Sequence, residues 1–166
     1  MCKNFRSGNQ LQSFKKSKRG TLLFKSASFL TKNYGFKIKR ILKDQIGKYA
    51  IEMVSNKNFP LMLVAKSSDI SKSGIISFHK SLLQQWRCII IMAWQPLTAE
   101  NIIFYAFDPT KCIIFTKFEN IRGVEMCNFN ISLGTEFNPS IQDIRELWYK
   151  IKQKQQTLES FNYFVS

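Results

Sequence analysis

Tyr49-Ala50-Ile51-Glu52-Met53-Val54, then Ser55-Asn56-Lys57-Asn58-Phe59-Pro60, then Leu61-Met62-Leu63-Val64-Ala65-Lys66 is the stretch that decides the fold. Two apolar segments of strand length flank a cluster of turn-forming residues, and this pattern predicts a β-hairpin. Upstream, Phe36-Lys37-Ile38-Lys39-Arg40-Ile41 alternates apolar and basic residues with a period near two. It reads as a half-buried third strand whose outer face presents Lys37 and Lys39. Before it, Leu23, Ala27, Leu30 and Tyr34 recur at helical spacing until Gly35, which predicts an amphipathic helix over Thr21 to Tyr34.

Downstream of Lys66 a polar loop, Ser67 to Gly74, leads to Ser77 followed by Phe78, Leu82, Leu83 and Trp86 at helical spacing. This predicts a helix capped by Ser77. Cys88 to Trp94 and Ile102 to Phe107 are continuous apolar runs closed by Gln95-Pro96 and Asp108-Pro109, as buried strands are. Cys112 to Phe118 and Val124 to Phe129 are read as further strands. A final helix is expected from Ser140, with Ile141, Ile144, Leu147, Ile151 and Leu158 on one side and Lys150, Lys152 and Lys154 on the other. The fold class is therefore α/β, a mixed sheet flanked by helices.

Charge places the partner. The 166 residues carry 25 Lys and Arg against 11 Asp and Glu, and residues 1 to 50 hold 13 of the basic residues with Asp44 as their one acid. The front of the chain is the electropositive end, which suits an anionic partner. Residues 1 to 19 lack core-forming periodicity and read as a flexible basic arm, with 20 to 166 as one globular domain. In the arm, Lys15, Lys16, Lys18 and Arg19 supply phosphate-binding charge, and Phe5 and Phe14 could stack on bases. A solvated tail or an organelle transit segment has the same composition. Nucleic acid is the expected partner, with Lys37, Lys39 and Lys80 added to the contact surface.

Other classes are set aside. The longest apolar run, Cys88 to Trp94, is far short of the roughly 20 residues that span a bilayer, so no membrane partner is expected. The start lacks a greasy signal core, and a cytoplasmic or organellar interior is expected rather than secretion. Cys2, Cys88, Cys112 and Cys127 form no CxxC pair and His79 is the sole histidine, which argues against structural zinc. No glycine-rich phosphate loop is present.

The order helix, three strands, helix, strand resembles the core of the PD-(D/E)xK nucleases, and the archaeal Holliday-junction resolvase-like proteins look most similar. The resemblance covers about Lys18 to Phe107. Lys18-Arg19-Gly20 before a helix ending Tyr34-Gly35-Phe36-Lys37-Ile38 looks like the family's opening, and Pro60 to Lys66 sits where the family carries its (D/E)xK strand. The resemblance implies a restriction-endonuclease-like core with an additional C-terminal helix, and Mg²⁺ held by carboxylates beside a lysine that prepares the attacking water. It makes Lys66 the candidate catalytic lysine and Glu52 the candidate catalytic and metal-ligating carboxylate, with Asp44 and Asp69 as loop alternatives. The departure is that Val64 stands in the acidic position of the triplet.

Three readings follow: a DNA-binding protein on this fold with weak or no cleavage and no cofactor needed for binding; an active Mg²⁺-dependent, structure-selective DNA endonuclease; and a basic RNA- or ribosome-associated accessory protein. A homodimer is compatible with each.

Overall fold

The computed structural model of the chain describes residues 3–4, 18–43, 49–97, 100–140 and 142–153. The elements begin with β1 (Lys3–Asn4), α1 (Lys18–Tyr34) and β2 (Lys37–Lys43). Helix α1 starts three residues ahead of the expected Thr21 and buries Leu22, Leu23, Ser26, Ala27 and Leu30 along one stripe. Gly35 ends it at a φ of +68°, a conformation that only glycine adopts freely, and the Phe36 N–H turns back to the Leu30 carbonyl. The expected hairpin is present as β3 (Tyr49–Val54) and β4 (Pro60–Lys66), with Ile51 opposite Leu63. Its turn is held by Ser55, whose hydroxyl accepts from the Phe59 N–H at 3.0 Å, and Asn58 takes the left-handed position at a φ of 60°.

Strand β2 does not keep the simple alternation expected of it. Its first four residues are all exposed, Ile38 among them, because the register shifts between Ile38 and Arg40. Such a bulge breaks the period of two. Beyond it Arg40 lies directly opposite Glu52, and Leu42 opposite Ala50.

The segment after the polar loop corrects the sequence reading. Ser77 does not cap a helix; it lies inside β5 (Ile75–His79), and the helix shrinks to α2 (Lys80–Gln85). The four residues Ile75 to Phe78 carry the physical reason: Ile76 and Phe78 alternate onto a buried face while Ser77 bonds the Asn128 side chain. That strand alternation outweighs the helical spacing of Phe78 and Leu82. The cap passes to His79, whose Nδ1 accepts from the Ser81 N–H at 3.2 Å.

Both continuous apolar runs are strands, β6 (Ile90–Trp94) and β7 (Ile103–Phe107). Cys112 to Phe118 is a second correction. It opens as the helix α3 (Pro109–Ile114), because Asp108 accepts from the Thr110 N–H at 3.0 Å and Pro109 occupies the first turn. Asp-Pro here starts a helix as well as closing a strand. Then β8 (Lys117–Ile121) and β9 (Val124–Asn130) form a hairpin around Arg122 and Gly123, both at positive φ. A short 3-10 turn leads to β10 (Thr135–Phe137), and residues 144–153 form α4, capped by Asp143 rather than Ser140. Ile141, Lys154 and Leu158 lie outside the described residues.

The architecture is mixed α/β. A seven-stranded sheet runs β1-β2-β3-β4-β6-β7-β10, with β4 and β6 parallel and their other neighbours antiparallel; a three-stranded sheet runs β5-β9-β8. The large sheet is covered on both faces, so successive residues of its central strands enter different cores. Leu61, Leu63, Ile91 and Ala93 pack with α1 and with Ile144, Leu147 and Trp148 of α4. Met62, Ile90, Met92 and Phe107 pack with Ile76, Phe78, Leu83, Cys112, Cys127 and Phe129 of the second layer. No helix among the described residues is long and apolar enough to cross a membrane.

Burial pushes the Cys112 thiol up to about 12. A thiol raised in the folded state stabilises that state at pH below its ordinary value and loses the contribution as pH climbs through the folded one. Cys112 should therefore resist alkylation at pH 8 until urea unfolds the chain, whereas the half-buried Cys88 should react before it. Mass-spectrometric labelling decides; early native labelling of Cys112 would contradict its burial.

Candidate functional site

One cleft of about 200 Å³ opens over the second face of the large sheet. Its floor comes from the residues that alternation sends to that face, Met62 and Val64 of β4 and Met92 of β6; β5 and α2 wall it with Ile76, Phe78, Leu82 and Trp86. Arg19, Arg40 and Lys66 also line it, with His79, Ser77, Ser81 and Gln85, and among the described residues no carboxylate does. Arg19 reaches it from the first turn of α1, Arg40 from β2 just past the bulge, and Lys66 from the last position of β4. Three distant stretches of sequence thus converge.

The electrostatics of the free cleft are unfavourable. Burial lowers the Lys66 ammonium below the usual lysine range, and the nearby Arg19 guanidinium lowers it further. The Arg19 Nε is buried with no hydrogen-bond partner among the described residues. Helix α1 has no acidic residue in its first turn, so its positive end carries two cations, Lys18 and Arg19, with no acid of that turn beside them. His79 does not stand as a free base there: its Nδ1 contacts both the N–H and the hydroxyl of Ser81, the latter at 2.6 Å, as the cap of α2.

Glu52 and Lys66 are not brought together. Glu52 lies opposite Met62, four positions from Lys66 along β4, which at about 3.3 Å per residue is about 13 Å. Its buried carboxylate is instead held by Arg40 at 2.9 Å and Lys39 at 3.3 Å. Both oxygens face cations of its own sheet. Asp69 accepts from the Leu97 N–H at 2.9 Å, and Asp44 lies outside the described residues. Among the described residues no group of three or more His, Cys, Asp and Glu side chains could hold a metal ion.

The predicted basic residues divide. Lys18 faces a shallower depression with Lys25, Ser67 and Leu97. Lys37 is exposed at the start of β2, and Lys39 is drawn to Glu52. Lys80 leaves the group: its ammonium pairs with Glu125 at 2.6 Å and sits 5.0 Å above the Phe118 ring, toward the β8–β9 hairpin. Lys15 and Lys16 lie outside the described residues.

No protein family, curated protein or solved structure matches the chain. The site is therefore read from its own chemistry. Sequence reasoning missed Arg40 and the cleft floor. The available signal for Arg40 was its spacing of two from Leu42, which places both on one face of an extended strand.

Proposed function

We propose that the protein binds nucleic acid, DNA by preference, through the cleft of Arg19, Arg40 and Lys66, and that it cleaves feebly or not at all with Mg²⁺. The observation that carries this reading is the convergence of three cations on a cleft that no carboxylate of the described residues lines. Phosphate oxygens would satisfy the Arg19 and Lys66 donors, which have no anionic partner among the described residues, while Arg40 is already paired with Glu52. The net charge of +14 adds long-range attraction. The restriction-endonuclease-like reading draws support from the element order, α1 followed by the antiparallel β2-β3-β4 and then β6 parallel to β4. Weak or absent cleavage follows from the inventory: Val64 in the acidic position, and Glu52 committed to Lys39 and Arg40. A Mg²⁺ ion needs several oxygen ligands in nearly fixed geometry, and one paired carboxylate does not provide them.

The test combines binding and cleavage. Affinity for a labelled four-way junction, a linear duplex and a matched RNA should fall steeply across a salt series, with DNA bound more tightly than RNA. Little cutting is expected in Mg²⁺ or Mn²⁺. Robust cutting abolished by both Glu52→Ala and Lys66→Ala would overturn the weak-cleavage reading in favour of an active nuclease. A preference for RNA would favour the accessory-protein reading. Val64→Glu should weaken binding by placing a carboxylate among the three cations, and should bring no cleavage because Glu52 stays paired with Lys39 and Arg40; metal-dependent cutting by this variant would show that the missing acid was the sole defect.

A further inference from the structure

The cleft contains more than a phosphate requires. A duplex presents sugars and phosphates to a protein surface, and its base faces are hidden by stacking. Recognition of that outer surface needs cations and hydrogen-bond donors on an open face. Here the cations border a concave, largely apolar floor in which Met62, Met92 and Met126 meet Trp86. Thioethers are polarisable and conform to flat aromatic rings, and an indole adds a further apolar edge. Trp86 is held in place, its indole N–H donating to the Ile89 carbonyl at 3.0 Å. Polar side chains reach the same space, among them Ser77, Ser81 and Gln85. An apolar floor, a few polar groups and neighbouring cations together suit one planar heteroaromatic base attached to a phosphate.

We propose that this cleft takes a single unpaired nucleotide of a nucleic-acid strand, its base on the methionine floor and its phosphate at Arg19 and Lys66. The inference rests on the nucleic-acid reading above. An unpaired base is the part of a strand that offers both an exposed flat face and an adjoining phosphate, and taking it from an end, a flap or a branch costs less than extracting it from intact duplex. The shared chemistry of a nucleotide also allows a free nucleoside monophosphate, so the experiment separates the two sources.

Fluorescence anisotropy should be measured with the full chain on a blunt DNA duplex and on the same duplex with a short single-stranded overhang carrying 2-aminopurine. The overhang substrate should bind about 10-fold more tightly, the gain of roughly one base contact, and the 2-aminopurine emission should change on binding. Filling the floor with Val64→Phe, or from α2 with Leu82→Trp, should remove the emission change and bring the ratio of overhang to blunt-duplex affinity, which is the readout, from about 10 to about 1. The wild-type readout needs neither variant, so misfolding of one does not leave the question open. Equal affinity for blunt and overhang substrates, without an emission change, would overturn the inference and leave nucleic-acid binding standing. Binding of thymidine monophosphate as tight as that of the overhang would reassign the cleft to a free nucleotide and overturn the strand assignment. Absence of binding to every nucleic acid at low salt would remove the reading on which the inference rests, and the inference with it.

Discussion

Lys66→Glu should weaken DNA binding by on the order of 100-fold at moderate salt, because it removes a charge-assisted contact and places an anion against the incoming phosphate. Lys66→Met, which removes only the charge, should cost about 10-fold and reduce the slope of log affinity against log salt by about 0.9. The neutral variant should fold at least as well as the wild type. Burial and Arg19 both lower the Lys66 ammonium below its ordinary range. A lysine depressed in this way carries a cost at neutral pH that is relieved only as pH rises through its folded value, so methionine removes a cost. Thermal melts separate the two effects. If Lys66→Glu binds within about twofold of wild type while folded, the cleft is not the binding surface.

The largest effect on stability is expected at Phe107. Its ring is fully buried and meets Phe78 edge-on at 5.3 Å and Phe129 edge-on at 5.7 Å. It thereby joins the large sheet to the second layer. Gly134 touches the same ring so closely that an added Cβ would fall 2.5 Å from it, which leaves no room for the neighbour to move inward with a side chain of its own. Phe107→Ala should cost about 3–5 kcal/mol, the range for truncating a core aromatic. In urea this is a midpoint lower by about 2 M. A shift under about 0.5 M would show that the two layers hold together without this ring.

Much of the fold was legible because the central strands are short and decisively patterned. The hairpin of β3 and β4 follows from two apolar segments around Ser55 to Phe59, and β6 and β7 from isoleucine- and phenylalanine-rich runs with clear stops. What misled was local ambiguity resolved by partners far along the chain. Phe78, Leu82 and Leu83 fit a helix until β9 provides a strand for Ile75 to His79 to pair with. Asp108-Pro109 stops one element and caps the next, so Cys112 falls on the helical side of a boundary that its apolar neighbours Ile113 and Ile114 disguise as a strand. The site was less legible than the fold. Arg19 is legible from its charge and Lys66 through the family resemblance, whereas Arg40 is marked only by its spacing of two from Leu42, beyond a bulge in β2 that the sequence does not announce. Glu52 was correctly placed on the strand beside β4, and only the register shows that it faces Met62 and its own two cations rather than Lys66.

The position of β5 has a consequence for how the chain reaches this structure. The parallel pair β4 and β6 is joined by a crossover, and β5 lies inside that crossover, yet residues 75–79 find their partners at residues 126–130. The strand inside that connection thus remains without its ladder hydrogen bonds until chain from well beyond β7 has returned. Closing such long loops costs entropy before the contacts they enable offset it. A chain still emerging from the ribosome, with β9 not yet made, would expose β5 and the methionine-lined face together.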